Sequence, residues 1–203
     1  MVRSTIRRLA EKIPEHGLAF HGTLWKNVPS IKKEGIQPIK YYSGEGGVYV
    51  AVLPPKRFMD ATYAQLSERE IFERSVGSTL FAVHHSAEKV EQEIEEGHLP
   101  ALIVLKGSPE CAFYSGYDED RKQSFGPDGR TVRSFGKAAF DQIPKENIAA
   151  VVRITPREYQ RILSKHSAEY GGVGTAVRKL MVRKALLAVR SIIEKDREEK
   201  QNG

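Results

Sequence analysis

Three groups of residues in this chain are suited to gripping a small polar molecule. His21, Gly22 and Thr23 stand together in "LAFHGTL". Glycine lets a ligand approach the main chain closely, so the peptide groups of Gly22 can hydrogen-bond a flat amide while the imidazole of His21 reaches a neighbouring hydroxyl. Tyr49, in "GGVYVAV", is followed fourteen residues later by Tyr63, in "DATYA". If Tyr49 ends a strand and Tyr63 lies on the helix after it, the two phenols can sandwich an aromatic ring. Arg130 and Arg133, with Arg121, fall in a polar stretch, and guanidinium groups hold phosphate bidentately. His84 and His85 are a different case. Neighbours on a strand point to opposite faces, so that pair does not ligate one metal ion. Cys111 is the only cysteine, which rules out an internal disulfide and a cysteine zinc site, and no metal is expected.

Such residues need strands and helices to position them. Residues 3–13 read as a short helix stopped by Pro14, and 18–22 as a buried strand. Asn27 is placed to cap a helix that has Pro29 in its first turn and Gly35 at its end. Strands are expected at 46–52, 79–85, 101–107, 137–144 and 148–155, and a helix from Pro54 to about Arg74. The acidic run "SAEKVEQEIEEG" reads as a solvated helix or turn. Residues 107–136 read as a long polar loop, and loops of that length are usually functional or mobile. The chain then turns helical, with a first segment over 156–170, a glycine break at 171–174, and a second segment to about residue 200. Val177, Leu180, Met181, Ala185, Val189 and Ile192 line one side of the latter, opposite Arg178, Lys179, Arg183, Lys184 and Arg190. That pattern fits a helix packed on its own domain and also one that contacts nucleic acid. The class is α+β. The expected organisation is one domain over 1–155 and a helical extension packed on it over 156–203, with the last several residues disordered.

The length of 203 residues and 40% hydrophobic content suffice for a core of this size. Apolar runs such as "ALLAV" fall far short of the roughly 18 to 20 residues needed to cross a bilayer. The first residues lack the apolar region of a secretory signal, so a soluble cytoplasmic protein is expected, without a membrane partner. The net charge of +6 is compatible with a polyanionic partner.

"FHGT", a helix ending in "EGI", then "GGVYVAV" and "DATYA" occur in the order seen in ADP-ribosyltransferases of the histidine-tyrosine-glutamate class. Over about residues 18–155 the chain resembles that family, which includes poly(ADP-ribose) polymerases and DNA-modifying toxins. "GSTLFAVHHSAEKV" and "AAFDQIPKENIAAVVRI" are similar to its later strands. The resemblance implies a central mixed or antiparallel split sheet and NAD as substrate, without a metal. His21 would bond the adenosine ribose, Gly22 the nicotinamide carboxamide, and Tyr49 and Tyr63 would bracket the nicotinamide. Thr23 completes the binding element, and His21 and Tyr49 are the expected catalytic pair. Cleavage of the glycosidic bond passes through an oxocarbenium-like centre, stabilised by an anionic or hydrogen-bonding group once water is excluded.

The family's glutamate is missing. Residues 133–138 read "RSFGKA", so Lys137, Gly136 or Ser134 stands at its place. Three explanations stay open: an acid supplied by Glu119 or a neighbour, a branch that works without one, or a non-catalytic module that binds a nucleotide or nucleic acid. RNA 2'-phosphotransferases share the fold, lack the glutamate and have a similar "HGT", but their "R-x-H-V-H" strand is replaced here by "GGVYVAV". The expected acceptor is a macromolecule, DNA or RNA before protein, with Arg130 and Arg133 on the acceptor side. Oligomeric state is left open.

Overall fold

The computed structural model describes residues 12–38, 48–55, 98–113, 116–118, 123–125, 131–132, 137–140, 142–168 and 171–202. Its centre is β1 (Leu18–Leu24), flanked by β2 (Val48–Leu53) and β3 (Pro100–Lys106). With β7 (Lys137–Phe140) beside β2 and β8 (Ile148–Arg153) beside β3, they form a five-stranded sheet of order β7-β2-β1-β3-β8. Every pairing in it is antiparallel. Three short strands, β4 (Gly116–Asp118), β5 (Gln123–Phe125) and β6 (Thr131–Val132), make a second antiparallel sheet. They lie where a polar loop was expected. Backbone pairing between strands needs no apolar pattern, so the hydrophobicity of this stretch did not announce them.

Leu18, Ala19 and Phe20 are all buried, as are Ala101 to Leu105, because both faces of the sheet are covered. An uninterrupted apolar run such as "ALIVL" marks a strand of this kind. On one face Leu18, Phe20, Leu53, Leu102, Val104 and Val152 pack with Met181, Ala185 and Val189. Tyr159 joins the same cluster. These last come from α2 (Pro156–His166) and α3 (Gly172–Asn202), so the two C-terminal helices form one layer. On the other face Ala19, Val50, Val52, Ile103 and Leu105 pack with Val28 and Ile31 of α1 (Val28–Glu34), and with Phe113 and Ile143. The molecule is α+β.

Local chemistry accounts for the joints. Gly35 closes α1 with φ 79° and ψ −175°, a region open essentially to glycine alone, and its N–H donates to the Ile31 carbonyl. Ile36 and Ile143 then exchange main-chain hydrogen bonds at 2.9 and 3.0 Å. At α2 the Glu158 N–H donates to the Thr155 hydroxyl oxygen at 3.3 Å, and the Thr155 N–H donates to the Glu158 carboxylate at 2.9 Å, forming a capping box ahead of Pro156.

Some expectations need correction. Asn27 holds the N-cap position of α1 without a side-chain capping bond, because its amide Nδ2 donates to Thr23 Oγ1 at 3.1 Å. The glycine break is confined to Gly171, with φ 68°; Gly172 and Gly174 are already in α3, whose first turn is held by the Thr175 N–H on the Gly171 carbonyl. α3 continues to Asn202, past the point where disorder was expected. Lys106 on β3 pairs with Asp196 at 2.8 Å and Glu199 at 3.3 Å, and Lys200 pairs with Asp196 at 3.1 Å, which ties the last turns to the sheet. The expected helix over 3–13, except for Lys12 and Ile13, lies outside the described residues, as do nearly all of the 54–74 helix, the 79–85 strand and the acidic run. No helix of the described residues is long and apolar enough to cross a membrane.

Candidate functional site

His21, Gly22 and Thr23 occupy the second half of β1, opposite Ile103, Leu102 and Ala101 of β3. The pairing with β3 runs the full length of β1, to Leu24 opposite Pro100. The pairing with β2 is shorter: it begins at Leu18 opposite Leu53 and ends at Phe20 opposite Ala51. β1 and β2 therefore diverge immediately before His21, and among the described residues the stretch from His21 to Leu24 keeps only β3 as a strand neighbour. The departing end of β2, from Val48 to Val50, stays paired with β7, with Tyr49 opposite Ala139. The strands of the central sheet thus separate beside the His-Gly-Thr element.

Strand alternation assigns the faces. His21 shares parity with Ala19 and sits across from Ile103, so it lies on the face packed by α1 and is half-buried there. Gly22 falls on the opposite face. Thr23 is buried, and its hydroxyl oxygen accepts the hydrogen bond from Asn27, fastening the turn of 3₁₀ helix Trp25–Asn27 against β1. The amide that the sequence offered to the helix is used instead to anchor this element.

Lys137 begins β7 opposite Ala51. Ala51 in turn faces Phe20, the last paired residue before β1 and β2 diverge. The register thus brings Lys137 into line with the point where the β1–β2 pairing ends. Tyr63, Arg121, Arg130, Arg133, Glu119, His84 and His85 lie outside the described residues. Among the described residues no group of three or more His, Cys, Asp or Glu side chains is arranged to hold a metal ion.

The structure also gathers residues that the sequence did not single out. The Trp25 N–H donates to the Leu99 carbonyl at 2.9 Å, and the Arg153 guanidinium lies 4.3 Å from the centroid of the Trp25 ring. Beside them, Lys26 Nζ is 3.0 Å from His98 Nε2. Two cations and an indole thus converge just beyond the end of β1. "LWK" directly after "HGT" was the available signal, but its partners Leu99 and Arg153 are far along the chain.

No protein-family model, no curated protein and no solved structure matches the chain.

Proposed function

We propose that this chain is a NAD-dependent ADP-ribosyltransferase that modifies a macromolecule, with DNA or RNA preferred to protein. The observation that supports the reading is that the β1–β2 pairing ends at Phe20 and Ala51, with His21 and Gly22 following on β1 and Tyr49 preceding on β2. An ADP-ribosyltransferase-type split sheet opens a cleft of this kind for its dinucleotide substrate. In this reading His21 holds the adenosine ribose, the bare main chain of Gly22 receives the carboxamide, and Tyr49 and Tyr63 bracket the nicotinamide. Clamping the substrate in this way removes orientational freedom ahead of the reaction. Nicotinamide leaves with the electron pair of the glycosidic bond, a nucleophilic atom of the acceptor bonds to C1' of the ribose, and the acceptor's proton is released. Thr23 supports the element from behind, since its hydroxyl is committed to Asn27. Arg130 and Arg133 are the residues proposed to bind the acceptor.

A second reading, a non-catalytic nucleotide or nucleic-acid module of the same fold, draws on Lys137 at the start of β7. A cation there does not stabilise positive charge developing on a ribose. Incubation with nicotinamide-labelled NAD and DNA, RNA or protein acceptors separates the two. Release of label with transfer to an acceptor supports the enzyme. Dinucleotide binding without release favours the module, and release that requires 2'-phosphorylated RNA assigns the site to the phosphotransferase branch.

A further inference from the structure

One basic segment of the chain falls on its C-terminal helices. Residues 156–193 hold eight Lys and Arg against two Asp and Glu, a balance equal to the +6 of the whole chain; removing them leaves 24 of each sign. These residues are α2, the connection after it and most of α3. Of the two acids, Glu158 is neutralised within the fold by Lys184, whose ammonium also donates to the Arg153 carbonyl at 2.9 Å. Arg157, Arg161, Lys165, Arg178, Lys179 and Arg183 are all exposed, and among the described residues no ion pair engages them. Because α2 and α3 pack side by side on the same core cluster, their solvent sides form one outer face.

We infer that this outer face of α2 and α3 binds the phosphate backbone of a nucleic acid. The spacing fits a linear polyanion: Arg157, Arg161 and Lys165 rise along α2 in steps of about 6 Å, as do Lys179 and Arg183 along α3. A membrane fits less well, since an interfacial helix needs a broad apolar face directed outward, and Leu187 is the one large exposed hydrophobic residue among those described. A protein partner fits less well too, because the described residues of this face offer no aromatic anchor and no apolar centre. The His21 side chain lies on the other side of the sheet. The basic face is an anchoring surface, and its binding is read without NAD.

The test is equilibrium binding of the full chain, without NAD, to fluorescent duplex and single-stranded oligonucleotides over a salt series. Six phosphate contacts give a slope of log K against log salt of about −5 for duplex and about −4 for a single strand, a loss of about 10³-fold in duplex affinity between 50 and 200 mM. The triple variant Arg178→Ala, Lys179→Ala, Arg183→Ala is expected to keep its circular dichroism and lose about half of the slope. The control Lys32→Ala, Lys33→Ala, Lys145→Ala removes the same charge from exposed positions elsewhere and is expected to leave the slope unchanged. Equal losses in both variants would mean a diffuse charge effect and overturn the inference. So would no binding at 50 mM salt, or capture of phosphatidylserine vesicles in place of nucleic acid. None of these outcomes bears on NAD cleavage, which is read separately.

Discussion

At the scale of single residues, the clearest lesson is that a polar side chain's partner decides its role. Asn147 is buried at the end of the 3₁₀ turn Lys145–Asn147, where Nδ2 donates to the Lys106 carbonyl at 3.0 Å and lies 3.4 Å from Ser108 Oγ. Asn147→Ala removes both contacts and strands a carbonyl, and is expected to lower unfolding free energy by about 1 to 3 kcal/mol in urea titrations. An unchanged midpoint would show that water replaces the amide there. Under the proposed transferase activity, His21 is the counterpart for function. Replacing it with alanine is expected to reduce nicotinamide release by about 10²-fold or more, as the loss of one preorganised donor does, while the thermal midpoint stays near that of the parent. Full turnover in His21→Ala would sink the assigned clamp.

At the scale of elements, the termini of the helices carry the specific chemistry. Gly35→Ala forces a side chain into backbone geometry suited to glycine and against the Ile143–Pro144 main chain, so a loss of about 1 to 3 kcal/mol is expected, read as a lower denaturation midpoint. The α3 end behaves differently because its anchors are ionic. For Asp196, burial pushes the carboxyl up, but the hydrogen bonds and charges of Lys106 and Lys200 prevail and it titrates below its usual value of 3.8. For Lys106, burial works downward and the two carboxylates prevail upward, above 10.5. Asp196→Asn is expected to speed amide exchange in the last two turns of α3, with the sheet amides nearly unaffected. Uniform exchange across the helix in both proteins would show that the ion pairs do not hold this end.

At the scale of the whole molecule, one ionic tie joins α3 to the sheet and another joins α2 to α3, and their pH dependence follows from the directions of the shifts. Burial raises Glu158 while Lys184 and Thr155 lower it further, so its folded pKa lies below 4.5. A carboxyl with a depressed folded pKa contributes stability that is present above the unfolded value and lost as pH falls through the folded one. Glu158 and Asp196 therefore contribute fully at neutral pH and lose their share progressively below about pH 4.5. The raised Lys106 contributes below 10.5 and loses its share as pH rises through the folded value. Because Glu158 and Lys184 are each about a third exposed, the Glu158 pair is worth no more than about 1 kcal/mol. Urea midpoints measured from pH 7 to pH 3 should fall less steeply in the double variant Glu158→Gln, Asp196→Asn than in the parent. Parallel curves would assign the acid sensitivity to other carboxyls.

The sequence by itself determined whatever depends on neighbours along the chain. The buried run "ALIVL" reads as a strand, Gly35 as the end of a helix and Pro156 as the start of another, since capping and hydrophobic period act over three or four residues. The apolar stripe of α3 was legible for the same reason, and Val177, Met181, Ala185 and Val189 are buried along it. Tertiary structure alone decided the rest. Asn27 serves Thr23 rather than its own helix, Lys106 secures turns more than ninety residues away, and short polar strands pair where hydrophobicity is silent. Above all, the place where β1 leaves β2 depends on strand register, which couples distant segments through hydrogen bonds that leave no periodic trace. That register leaves "HGT" paired with β3 alone among the described strands, and the packing of two helices brings basic residues far apart in sequence into one layer.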